Sequence, residues 1–227
     1  MHLDQELDEL KDTLLTMASH TEQAVKQAIS ALETRDYDLA LQVRSDDVVI
    51  DEFEVEVDET AIRLLAKAPL ARDLRFIAVA MKISQNLERV GDEAAKIASR
   101  ARDLSEEAPL KMRVDIPGLA DLALHMLKHA LDAFVERDPT AARALIPQDK
   151  QIDALNKEIY RQLVMEMSQK PETIHGCLDL MVAAKSLERI ADHAKNMAEE
   201  VVFLCEAQDI RHGGRRRTEL FQHDTTP

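Results

Sequence analysis

Leu87-Glu88-Arg89-Val90-Gly91-Asp92 returns 100 residues later as Leu187-Glu188-Arg189-Ile190-Ala191-Asp192. Each copy sets a glutamate and an aspartate four residues apart inside an otherwise apolar helical pattern. On a helix that spacing stacks both carboxylates on one face, a turn apart. Carboxylates set against apolar surface are costly unless a cation or hydrogen-bond donors meet them. The duplication therefore bears on architecture and site together: two copies of one helical unit, each with its own acidic position.

Working outward from the first copy, Phe76, Ala80, Ile83, Leu87, Val90, Ala94 and Ile97 recur at three- and four-residue spacing, the mark of a buried helix seam. Beside it run Ile77, Met81, Ser84, Glu88, Gly91, Ala95 and Ala98, so Glu88 interrupts a row of apolar and small residues. The second copy repeats this, with Leu180, Ala183, Leu187, Ile190, Ala194 and Met197 as the seam and Met181, Ala184, Glu188, Ala191 and Ala198 beside it. Gly91 and Ala191 leave room next to each glutamate for a neighbouring helix or an ion.

A second pair of motifs matches at an offset of 102. Asp47-Val48-Val49-Ile50-Asp51 corresponds to Asp149-Lys150-Gln151-Ile152-Asp153, and Glu56 and Glu158 each follow five residues later. Antiparallel packing of the helices would gather Asp47, Asp51, Glu88 and Asp92 in the first half, and Asp149, Asp153, Glu188 and Asp192 in the second. Four carboxylates cannot all stay ionised without a counter-charge. Oxygen-rich sites select hard cations such as Mg, Mn or Ca and can hold iron, whereas a closed structural zinc site uses Cys or His. The alternative is a solvated helix surface, since 43 Asp and Glu residues make acidic pairs common. Arg89 and Arg189 could also serve as partners in a purely structural ion-pair network.

Six helical segments are expected: about 3–33, 37–67, 71–104, 118–137, 138–169 and 171–207. Thr34-Arg35-Asp36 forms a tight connection, and 105–117, with two prolines and mixed charges, forms a linker. Asp138-Pro139 reads as an N-cap followed by proline at the first helical position. Pro147 should kink the fifth helix, because it removes a donor and crowds the preceding turn. The first helix carries its stripe on Leu7, Leu10, Leu14, Met17, Thr21, Val25, Ala28 and Leu32. Short connections make neighbours antiparallel, so the fold class is all-α: a tandem pair of three-helix bundles, 1–107 and 115–208, followed by a mobile tail at 209–227.

Composition narrows the function. The 227 residues carry a net charge of -14 with 3% aromatics and no tryptophan, which argues against nucleic acid and anionic lipid as partners and suits cations and basic proteins. Cys177 and Cys205 lie about 40 Å apart on one straight helix and cannot bridge, so reduced thiols in a cytoplasmic protein are expected. The N-terminus has no signal-peptide pattern, and no apolar run is long enough to span a membrane. His125 and His129 have ligand spacing but read as helix-surface residues. Glu172-Thr173-Ile174-His175 occurs once and far from Glu188, and His193 is a candidate extra ligand beside Asp192. The sequence contains no phosphate-binding glycine loop and no nucleophile elbow.

The twin L-E-R-[VI]-x-D and D-x-x-x-D motifs, with Ala71-Arg72-Asp73-Leu74-Arg75 and Gln208-Asp209-Ile210-Arg211-His212, make the chain resemble the PhoU family of bacterial phosphate-signalling proteins. The resemblance covers the chain to about Gly214. It implies a cytoplasmic, non-enzymatic negative regulator of high-affinity phosphate uptake and of the Pho response. Such proteins contact a PhoR-type sensor histidine kinase and a PstB-type transporter ATPase, commonly as homodimers. It also implies metal ions (Mg, Mn, Fe or Zn) at Asp47/Asp51, Glu88/Asp92, Asp149/Asp153 and Glu188/Asp192. Ala191-Asp192-His193 departs from the family pattern at that point. Two further readings exist: a carboxylate-bridged di-metal enzyme, which needs histidines three residues after its glutamates, and a metal-free structural bundle.

Overall fold

The computed structural model describes residues 2–68, 70–110 and 112–211, and the described chain is helical with no strand. α1 spans His2–Thr34, α2 Tyr37–Leu65, α3 Ala71–Glu106, α4 Ile116–Glu136, α5 Pro139–Leu145, α6 Asp149–Gln169 and α7 Ile174–Glu206. Two 3-10 turns, Ile146–Gln148 and Pro171–Thr173, join α5 to α6 and α6 to α7.

Local chemistry sets these bounds. Arg35 and Arg137 both adopt the left-handed conformation, at φ 58° and 52°, and each is followed by an aspartate that caps the next helix. The Asp36 carboxylate accepts from the Leu39 N–H at 3.0 Å, and Asp138 accepts from Thr140 and Ala141 at 2.8 and 3.1 Å. The two connections are the same device in the two repeats. Three expected boundaries move. Asp115 caps α4 through the Gly118 N–H, so the helix begins at Ile116 and takes in Pro117, where a missing N–H costs nothing. Pro147 does more than kink the fifth segment: it turns the backbone into a 3-10 step that separates α5 from α6. Pro171 opens a 3-10 turn, and α7 starts three residues later.

The predicted seams are the core. Every residue of the α3 seam is buried, as is the α1 stripe apart from partly buried Leu7. In the α7 seam only Leu180 is partly exposed. α1, α2 and α3 pack together, as do α4, α5–α6 and α7. The halves also share one continuous core, joined along α3–α7 and, less extensively, α1–α4. Partner numbers along α3 and α7 run in opposite directions, from Arg75–Leu204 through Lys82–Glu200 and Asn86–His193 to Arg100–Asp179, so these helices are antiparallel. Of the expected tail, residues 209–211 fold back on α7. Arg211 pairs with Asp209 at 2.6 Å and Glu200 at 3.1 Å, and Ile210 packs on the core. Residues 212–227, with the basic triplet, lie outside the described residues.

Candidate functional site

In the first half, α2 meets α3 at Gly91. A Cβ there would stand 2.9 Å from Ile50 Cδ1 and 3.1 Å from Asp47 Oδ1, so glycine leaves room for these two α2 side chains. That approach brings Asp47 over α3. Burial first, then the charges of Asp51 and Asp92, lift its carboxyl to about 6, against some relief from Lys96. Glu88 is raised as well, by burial, Asp92 and Glu54 in that order, with Arg89 opposing. Glu54 is itself raised by burial, Asp58 and Asp51. The predicted quartet is thus one electrostatic unit, and Glu54 belongs to it. Its acids are not uniformly buried: Asp47 and Glu88 are half-buried, and Asp51 and Asp92 are exposed.

The second half gathers the corresponding residues across α6 and α7. Asp192 is raised by burial, then by Asp149, Glu188 and Asp153, with Lys195 opposing. Here cations are built in. Lys195 donates to Asp149 Oδ2 at 2.6 Å, Lys185 pairs with Glu188, and Asn156 reaches Glu188 at 3.5 Å. Asp149 is buried, and its Oδ1 has no hydrogen-bond partner. Such an orphaned oxygen invites a cation or a water. All the candidate donors are oxygens, which fits a hard cation or iron. As the side chains stand, no group of three or more His, Cys, Asp or Glu residues converges on one point among the described residues.

Sequence reasoning missed the seam between the halves. The fully buried acid beside the motif is Glu93, which takes Arg189 Nη1 at 3.1 Å and Lys96 Nζ at 2.9 Å. Burial raises its carboxyl, but hydrogen bonds from Ser186, Lys96 and Arg189 outweigh this and leave it below the ordinary range. Asn86 and His193 form the matching contact, Nδ1 donating to Oδ1 at 3.0 Å. Under the 100-residue offset the two pairs exchange roles, Asn86 with Ser186 and Glu93 with His193, so α3 and α7 are related by a pseudo-dyad at the Arg89 and Arg189 positions. His193 therefore serves this seam and not the acidic cluster. Burial and then Arg89 push its imidazole below the usual value.

A groove of about 670 Å³ opens beside the seam, lined by Lys82, Arg89, His193, Lys195 and Arg211 among others. Lys82 and Arg211 are held by Glu200 and Lys195 by Asp149, so most of its positive charge is already matched. His125 and His129 are exposed on α4, with ring centroids 4.1 Å apart. Cys177 and Cys205 are free thiols.

A family model described as the PhoU domain matches residues 14–101 and 116–201. Among similar proteins, a phosphate-specific transport system accessory protein PhoU homolog of Pseudomonas putida is 41% identical over 214 residues, covering 93% of this chain and 84% of the relative. The Escherichia coli protein of that description is 34% identical over 210 residues, covering 92% and 87%. The crystal structure of PhoU from Pseudomonas aeruginosa superposes with a TM-score of 0.87 at 38% identity, covering 90% of this chain and 99% of that one. A phosphate transport system regulatory protein PhoU from Streptococcus pneumoniae gives 0.84 at 28% identity, covering 91% and 98%.

Proposed function

The chain belongs to the PhoU family, and on that premise we propose that it is an accessory protein of a phosphate-specific transport system. In this reading it is a cytoplasmic negative regulator of high-affinity phosphate uptake and of the Pho response. It bridges a PstB-type transporter ATPase and a PhoR-type sensor kinase and catalyses no reaction. The relatives' descriptions as accessory and regulatory proteins support this. Co-purification of the tagged chain with both partners is expected, and recovery of neither would sink the adaptor role.

The observation that carries the metal part is the twofold placement of four carboxylates across a helix pair. Asp47, Asp51, Glu88 and Asp92 would hold one ion or small cluster, and Asp149, Asp153, Glu188 and Asp192 another, with Mg, Mn, Fe or Zn as the candidates. A bound cation supplies the counter-charge that lets the acids ionise together. The residues do the rest: α2 is tied to α3 and α6 to α7 through opposed carboxylates, which stiffens each face. In the second half Lys195 would have to release Asp149 for this, and the unpartnered Asp149 Oδ1 is an oxygen with a lone pair still to satisfy. Elemental analysis of the purified protein beside Glu88→Gln/Glu188→Gln is the test. Loss of metal in the double variant is expected, and equal content in both proteins would remove the ions from these helices.

A further inference from the structure

The outer face of α2 carries Leu41, Val48, Val55 and Ile62, each seven residues after the last and 39%, 53%, 58% and 63% exposed. The buried line of the same helix, Val43, Ile50, Val57 and Leu64, points the other way, into the bundle. A helix of 3.6 residues per turn keeps a seven-residue stripe in line only against another helix that wraps around it.

The internal repeat supplies the control. Ile50, Val57 and Ala61 of α2 correspond at the 102-residue offset to Ile152, Ile159 and Leu163 of α6, and all six are buried, so the registers match. In that register Leu41, Val48 and Val55 fall on Arg143, Lys150 and Lys157, all exposed, and only Ile62 falls on another aliphatic residue, Val164. The same fold accepts long cations where α2 displays aliphatic side chains. Packing therefore does not demand the stripe.

Charge says what covers it. Asp51 and Asp58 border the stripe on the side toward α3, with Glu52 and Glu59 on the other, and none of them has an ion-pair partner among the described residues. Two such faces would set acid against acid in a chain of net charge -14, and an anionic bilayer would be repelled in the same way. The outer face of α6 in a second copy offers Lys150 and Lys157 at the seam positions and apolar residues only toward its C-terminal end, at Tyr160, Val164 and Met165, so it matches only part of a stripe that runs the length of α2. We propose that this face of α2 is a docking surface for a basic amphipathic helix of a partner protein, with apolar residues at heptad spacing and lysine or arginine on both flanks.

The proposal deepens the adaptor reading by naming one face and its partner's chemistry. Its test needs only purified chain and peptide, so it fails separately from a co-purification that recovers no kinase or ATPase. The probe is a synthetic helical peptide with leucine at every seam position and lysine on both flanks, beside a twin with glutamate flanks. By fluorescence anisotropy the lysine peptide should bind the intact chain and the glutamate twin should not. Val48→Gln/Val55→Gln should weaken binding by about tenfold or more with an unchanged melting curve, because α6 already carries polar residues at the matching positions. Equal binding of both peptides, or lysine-peptide binding that survives the double variant, would overturn the proposal. So would concentration-dependent self-association that the double variant abolishes, since the face would then belong to a second copy.

Discussion

The two halves share helices, caps and core register, yet they treat their acids differently. In the second half Lys195 holds Asp149 and Lys185 holds Glu188. The corresponding positions of the first half are Ala95 and Gln85, and Lys96 there pairs with Glu93 of the seam instead. Burial first, and then the charges of Asp51 and Asp92 with only Lys96 opposing, raise the Asp47 carboxyl to about 6. One backbone thus carries a compensated cluster and a frustrated one. On the metal-binding proposal the frustrated cluster has more to gain from an external cation, so the first half should be the tighter site.

The largest expected effects ask whether the halves are separable at all. Leu87 and Leu187 are both wholly buried, and each leucine-to-alanine substitution should cost about 2–5 kcal/mol. Because α3 and α7 share one core, either substitution should shift a single urea transition. Two transitions, only one of which moves, would mean that the comparison is between independent domains. Next comes the seam itself. Glu93→Gln should cost about 1–3 kcal/mol, since it strips charge from the hydrogen bonds of Arg189, Lys96 and Ser186. Glu93 has its folded pKa lowered below 4.5, so its contribution is complete above that value and is lost as pH falls through the folded pKa. A variant with the same acid sensitivity as the parent would remove Glu93 from that role.

Gly91 and Ala191 are the sharpest sequence difference inside the motif. Gly91→Ala gains helix propensity of about 1 kcal/mol but drives a methyl to 2.9 Å from Ile50 Cδ1, so a net loss of about 1 kcal/mol is expected. Ala191→Gly should lose about 1 kcal/mol by propensity alone. Urea midpoints of the two variants, at matched metal content, check the pair. A stabilising Gly91→Ala would show that the Ile50 and Asp47 side chains can shift aside at little cost.

How far these differences were legible in the sequence depends on the kind of signal. The seams on α1, α3 and α7 were readable because burial on one side of a helix leaves a three- and four-residue period, and the offset of the repeats paired the carboxylates correctly. Burial of individual acids was not readable. Asp51 and Asp92 are exposed while the equivalent of Asp47, Asp149, is buried, although the motifs look alike. Glu93 and Glu200 resemble any of the 43 acids, because their burial comes from α3 and α7 crossing between halves, and no local period records that. One signal was available. Around Glu93 nearly every face of α3 is apolar or small, through Val90, Gly91, Ala94, Ala95, Ile97 and Ala98, which is the pattern of a helix enclosed on several sides. The proline boundaries moved for a simpler reason: Pro117 sits at no cost in a first turn whose N–H groups have no intrahelical partner, while Pro147 and Pro171 tighten the backbone into 3-10 turns that the apolar period does not record.

The smallest effect, at Asp47, separates the two clusters most cleanly, because the same substitution at its counterpart Asp149 should act with opposite sign. Asp47 has a folded pKa of about 6, above the ordinary 3.8, so the folded protein binds its proton more tightly than the unfolded chain. In metal-free protein this makes stability fall as pH rises through the window from 3.8 to about 6, and it leaves a fixed penalty above it. Asp47→Asn removes the charge and should stabilise the metal-free protein at pH 7 by up to about 1 kcal/mol, a figure discounted for the half-exposed side chain. It should also flatten the pH profile across that window. Asp149→Asn weakens the Lys195 bond on a buried carboxylate and should cost about 1–2 kcal/mol at the same pH. Urea midpoints at pH 5 and pH 7, with and without Mg or Mn, test both. Added metal should stabilise the parent more than Asp47→Asn, because the ion and the lost charge relieve the same repulsion. If the two substitutions shift metal-free stability in the same direction, the halves are electrostatically equivalent, and the first loses its claim to be the tighter site.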